Sequence, residues 1–113
     1  MIRVKVQRSA RDGFVEFFKV SGHAGYAGRG EDIVCSAVTA VVFTAVGYAE
    51  SLYNPTEDTS KVCYEQSSGF VVWRCPDVDE ETRRQLKPVL DAMVLGLKQI
   101  CESSGKKYLV VFD

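Results

Sequence analysis

The chain carries a single histidine, His23, in 113 residues. One imidazole cannot build a multi-histidine metal site. It is the one side chain here that exchanges a proton near neutral pH. None of the four cysteines, Cys35, Cys63, Cys75 and Cys101, forms a C-x-x-C pair. That removes the common zinc-finger spacings and the dithiol redox motif. Basic residues are scattered, with only short pairs such as Arg83-Arg84 and Lys106-Lys107, and the net charge is −1. This weighs against DNA or RNA as a direct partner. The opening Met-Ile-Arg-Val-Lys-Val alternates and carries charge, unlike a signal peptide. No run of about 18 apolar residues is present for a membrane span. The longest low-charge stretch, Ile33–Ala49, is interrupted by Ser36, Thr39, Thr44 and Gly47 and reads as a buried helix. The expectation is a cytoplasmic, reducing compartment, where thiols stay free, and no membrane partner.

What is present suffices for one self-supporting domain spanning residues 1–113. A chain of this size buries roughly 65% of the surface its unfolded form exposes. Ile2, Val4 and Val6 alternate with Arg3, Lys5 and Gln7, the pattern of a half-buried strand. Asp12-Gly13 marks a turn, and Phe14–Ser21 follows as the second arm of a hairpin. A helix is expected from Glu31 or Asp32 to Leu52 or Tyr53, with Val34, Val38, Val41, Ala45, Tyr48 and Leu52 at three-four spacing. It is apolar nearly all round, so it lies between layers or in an oligomer interface. Asn54-Pro55 ends it. Residues 61–66 and 70–75 bracket Ser67-Ser68-Gly69 as a second hairpin. On its arms Cys63 and Cys75 are placed to face each other.

The second helix starts with Asp77 and Glu80 as a capping box, or with Asp79 as the cap, and runs to Ser104. Leu86, Leu90, Met93, Leu97 and Ile100, with Cys101, form its apolar stripe. Pro88 inside it implies a kink or a later start, and Gly105 is a C-terminal cap. Tyr108–Phe112 is a last strand, apolar throughout and therefore expected at the centre of a sheet. The order β-β-α-β-β-α-β predicts an α+β fold, a mixed sheet covered by two helices.

The chemistry gathers in residues 22–39. Gly22-His23 closes the second strand. A loop containing Gly25, Tyr26, Gly28 and Gly30 follows, and Cys35 lies at the start of the first helix. There the helix dipole favours thiolate over thiol. With Asp32 as N-cap, Cys35 takes the third helical position, and the unpaired helix-end N–H groups are candidate oxyanion donors. His23 is the available base. Asp32 is placed either to cap the helix or to orient the imidazole, and Glu31 competes for both tasks. Thr39 lies one turn beyond Cys35, with a hydroxyl for the thiol or for the carbonyl of Cys35. The glycines let the loop order over a substrate, with Tyr26 as an apolar contact. A cysteine in an apolar helix is equally at home as a packing residue.

Gly22-His23-Ala24-Gly25-Tyr26-Ala27, Gly30 and Asp32-Ile33-Val34-Cys35-Ser36-Ala37-Val38-Thr39 together resemble the signature of the bacterial ribosomal-processing cysteine protease family, Prp. The resemblance extends to length and element order. It implies a cytoplasmic homodimer, without cofactor or metal. Such an enzyme removes a short N-terminal extension, containing an aromatic-rich recognition stretch, from the precursor of large-subunit ribosomal protein number twenty-seven. Carried over by position, His23 is the base and Cys35 the nucleophile. Asp32 matches an acidic position beside the site, and Thr39 stands where the family commonly has serine. Tyr26, Phe17 and Phe18 are candidate walls for the aromatic stretch. The competing readings are a non-catalytic, ribosome-associated or protein-binding homodimer, and another thiol enzyme such as an acyl transferase or redox enzyme.

Overall fold

The computed structural model describes residues 1–28, 30–52, 63–67, 69–74 and 78–113. The strands are β1 (Ile2–Arg8), β2 (Val15–Ser21), β3 (Cys63–Ser67), β4 (Phe70–Arg74) and β5 (Leu109–Phe112), and the helices are α1 (Ile33–Leu52) and α2 (Glu80–Ser104). The element order is the expected β-β-α-β-β-α-β, and the fold is α+β. The five strands form one mixed sheet in the order β3-β4-β2-β1-β5. All pairings are antiparallel except β1 with β5, which is parallel.

The period-two pattern of β1 fixes which face is covered. Ile2, Val4 and Val6 are buried, as are their neighbours Phe18, Val20, Trp73 and Leu109. Both helices pack on that side. α1 contributes Val34, Val38, Val42 and Ala45, and α2 contributes Leu86, Leu90, Val94 and Leu97. Phe18 and Trp73 are fully buried, with rings stacked at 5.4 Å. Among the described residues no helix lies on the opposite face of the sheet, which carries Arg3, Lys5, Lys19 and Arg74.

Four readings of the sequence change. β5 is an edge strand, not a central one. Its apolar run arises because Leu109 enters the core under α2, while Phe112 stays about half exposed on the open face. In α1 the buried stripe runs through Val42, Val46 and Ala49 rather than Val41 and Tyr48, and Tyr48 is exposed. α1 is also long and apolar enough to cross a bilayer by length and hydropathy, although serine, threonine and glycine interrupt it. In this fold one side of it is a core surface. The walls for an aromatic peptide are likewise reassigned. Phe18 is in the core, Phe17 lies on the open face beneath Arg74, and Tyr26 packs edge-on against Tyr108.

The ends of α2 are as the sequence allowed. Asp79 caps it by accepting from Thr82 N at 2.8 Å, and the N–H of Gly105 bonds the carbonyl of Cys101. Pro88 sits inside the helix, so the later start does not occur. The other candidate cap, Asp77, and the stop signal at 54–55 lie outside the described residues. So does Cys75, and register places Cys63 opposite Arg74. Cys101 is half-buried, and its thiol donates to the carbonyl of Leu109.

Candidate active site

The site forms where the end of β2, the start of α1 and the β3–β4 turn converge. Asp32 organises it. Its Oδ1 accepts the backbone N–H groups of Val34 and Cys35, both at 3.0 Å. Its Oδ2 accepts those of Tyr26 at 3.0 Å and Ala27 at 3.4 Å. One carboxylate therefore caps the helix and ties the glycine loop to it. Asp32 is 7% exposed, the one buried acid among the described residues. Burial pushes its pKa up, but donors from Cys35, Tyr26, Ala27 and Val34 outweigh this and hold the carboxyl below the usual range. Both oxygens are occupied by backbone, so orienting the imidazole is not its task. Glu31 is exposed, and its N–H bonds the carbonyl of Gly28.

Cys35 is half-buried at the third position of α1. The backbone N–H of Ala24, the residue after His23, donates to its Sγ at 3.4 Å. This bond holds the sulfur beside the histidine's own stretch of chain. The N–H groups of Val34 and Cys35 are engaged by Asp32 and that of Ser36 by the Asp32 carbonyl. These three helix-end donors are thus occupied, and the donor at the sulfur comes from the loop, at Ala24. Thr39 is exposed, and its hydroxyl bonds the Cys35 carbonyl at 2.8 Å. It stiffens the first turn of α1 and does not reach the thiol.

His23 is exposed, and its imidazole rests against the β3–β4 turn. A Cβ on Gly69 would lie 2.6 Å from His23 Nε2, closer than real contacts allow. Gly69 also has φ +72° and accepts the N–H of Gly22 at 2.8 Å. Gly22, at φ +93°, has no room for a side chain against the Met1 carbonyl. Gly69 therefore leaves the space that the imidazole fills, and Gly22, 47 positions earlier, lets the chain pass close to Met1. Gly69 was read from the sequence as a turn residue only. No local signal ties it to His23, because the link is made by the pairing of β2 with β4.

His23 and Cys35 line two adjoining clefts. One, of about 270 Å³, has walls from Val38, Val42, Phe43, Phe70 and Val71. The other, of about 390 Å³, lies under the loop, between Gly25, Ala27, Gly30 and Ser36. Gly28 shapes the loop through its carbonyl, outside both clefts.

The chain is similar to known proteins in sequence and in fold. A family model described as Cysteine protease Prp matches residues 1–109. The ribosomal processing cysteine protease Prp of Bacillus subtilis is 32% identical over 103 residues, covering 88% of this chain and 87% of that protein. Among solved structures, an essential ribosomal processing protease Prp from S. aureus, in complex with a covalently linked product peptide, superposes with a TM-score of 0.80. It is 23% identical, over 99% of this chain and 98% of that one. The SMU.848 protein of Streptococcus mutans superposes with a TM-score of 0.73, at 24% identity, over 99% and 92%. At those identities the structures speak for the fold, and the sequence matches speak for the family. By its matches across nearly the whole length, the chain belongs to the Prp family of ribosomal processing cysteine proteases.

Proposed function

We propose that this protein is a cytoplasmic, homodimeric endopeptidase that removes the N-terminal extension of large-subunit ribosomal protein number twenty-seven, with Cys35 as nucleophile and His23 as base and acid. The observation that supports the reading is that His23 and Cys35 both line two clefts, one of them apolar. An apolar cleft with Phe43 and Phe70 in its wall suits an aromatic recognition stretch.

The Cys35 thiolate attacks the scissile carbonyl carbon, forming a C–S bond and an oxyanion. The N–H of Ala24, already directed at the sulfur, is the nearest donor for that oxyanion. Protonated His23 gives its proton to the leaving amine as the C–N bond breaks. Neutral His23 then takes a proton from water, whose oxygen attacks the thioester. The C–S bond breaks, the acid leaves, and the thiolate returns.

The homodimer is supported by the outer side of the helix layer. A groove of about 530 Å³ between α1 and α2 is lined by Val41, Ala45, Pro88, Val89 and Met93. Ile33, Tyr48 and Leu95 are exposed on the same two helices. A second copy covers such a surface without needing polar partners. Light scattering at micromolar concentration is expected to give twice the chain mass.

The deciding experiment is cleavage of a peptide spanning the extension by wild type, Cys35→Ala and His23→Ala. Cleavage by wild type alone, without an added thiol, supports the reading and excludes acyl transfer and redox chemistry. Activity persisting in Cys35→Ala overturns the site. No cleavage by the folded wild type favours the binding role instead.

A further inference from the structure

We propose that the face of the sheet turned away from α1 and α2 is a binding platform for single-stranded RNA. Alternation puts Arg3 and Lys5 of β1, Lys19 of β2 and Arg74 of β4 on this one face. These cations are 4 of the chain's 14. Among the described residues none of the four is in an ion pair, whereas Arg8, Arg11, Arg83, Arg84, Lys87 and Lys98 all are. By register the face has one acidic position, Glu65, against these four cations. Register places Glu65 opposite Val72, at the β3 edge. The charge that looked scattered along the chain is gathered by folding.

Lys5 and Lys19 stand directly opposite each other on antiparallel strands. Like charges in that relation are unfavourable to the sheet. A local rule broken without compensation marks a surface under another demand. An anionic partner supplies the missing countercharge.

The face also carries aromatic rings. Phe17 lies beneath Arg74, with 4.7 Å from guanidinium carbon to ring centroid, and Phe70 lies beneath the Lys19 ammonium at 5.2 Å. Phe112, next to Lys5 on the edge strand, is 51% exposed. A shallow groove of about 430 Å³ runs between Arg3, Lys5, Phe17 and Lys19. Cations for phosphates beside flat rings for bases, on an open sheet, are what single-stranded RNA recognition uses. An acidic peptide needs the cations but not the rings. A bilayer needs a projecting apolar edge, which the groove is not.

The test is fluorescence anisotropy with a labelled single-stranded RNA of mixed sequence, from low to physiological salt. Each neutralised phosphate contributes roughly −0.7 to the slope of log affinity against log salt, so four cations predict a slope of about −3. Lys5→Glu creates an ion pair with Lys19, so this variant is expected to fold at least as stably as wild type. It should nevertheless bind RNA at least about tenfold more weakly, with the slope roughly halved. Phe112→Ala is expected to weaken binding by about tenfold with little change in slope. Both variants keep wild-type peptide cleavage, which separates this proposal from the protease reading. Absence of RNA binding at low salt overturns it, as does binding that Lys5→Glu leaves intact. Equal affinity for polyglutamate or for anionic vesicles overturns the choice of RNA.

Discussion

Asp32 and Asp79 stand at the same position of two helices and obey the same local rule, yet the fold treats them differently. Asp79 is exposed and caps α2 through Thr82. Asp32 is buried, caps α1 with one oxygen, and with the other holds a loop that belongs to no helix. A cap that begins a helix is worth about 1 kcal/mol. A cap that also satisfies loop N–H groups carries the cost of leaving those donors unpaired, about 1–3 kcal/mol each when buried. The comparison shows how a common helix-start signal becomes part of an active site. The extra contacts come from the loop, not from the helix.

The largest effect should separate these two aspartates. Asp32→Ala is expected to destabilise by roughly 2–4 kcal/mol in urea unfolding. It should also lower kcat/KM for peptide cleavage more than about 100-fold, because the loop bearing Ala24 is released from α1. Asp79→Ala should cost about 1 kcal/mol and leave cleavage unchanged. Equal loss of activity in the two variants breaks the comparison.

A second pair sharpens it for glycine. Gly13 and Gly69 occupy hairpin turns at nearly equal φ, +74° and +72°. Alanine strains both backbones by about 1–2 kcal/mol. At Gly13 nothing lies within 4 Å of the added Cβ, whereas at Gly69 it meets the imidazole of His23. Gly69→Ala is expected to lower kcat by about tenfold or more and to shift the pH–rate profile. Gly13→Ala should leave both intact. A Gly69→Ala enzyme with an unchanged profile removes Gly69 from the positioning of His23.

Acid stability gives a smaller effect of known sign. The folded pKa of Asp32 lies below its unfolded value, near 3.9. Its stabilisation is therefore complete above about pH 5 and is lost as pH falls through the lower folded value. The difference in unfolding free energy between wild type and Asp32→Asn should be flat from about pH 5 to 7 and shrink below about pH 4. The smallest effect is expected at Thr39, whose hydroxyl bonds only backbone. Thr39→Val, which removes the hydroxyl and keeps the shape, should change kcat/KM less than about twofold, and a large loss would restore a direct role at the thiol.

Much of this was legible in the chain because it is local. Alternation in β1, the Asp12-Gly13 turn, the α2 stripe and the Gly105 cap each depend on neighbours a few residues away. His23 and Cys35 stood out because one is unique and the other begins a helix. The edge position of β5 was not legible. An apolar run reads alike whether a strand is flanked on both sides or pairs parallel to one neighbour beneath a helix. The cleft walls were missed for a similar reason. Phe17 and Phe18 differ only in which face of β2 they take, and neither faces the thiol. The walls come from Phe43 and Phe70, on two elements far apart in sequence.

The sequence by itself determined the elements, the α+β class, and a helix that starts at an aspartate three residues before a cysteine. Those follow from periodicity and capping, which act within a turn or two of chain. Tertiary structure decided which N–H group is directed at the sulfur and that Gly69 must be bare beside His23. It also brought four dispersed cations onto one face. Each of these depends on strand register, and register is set by pairings between residues up to dozens of positions apart.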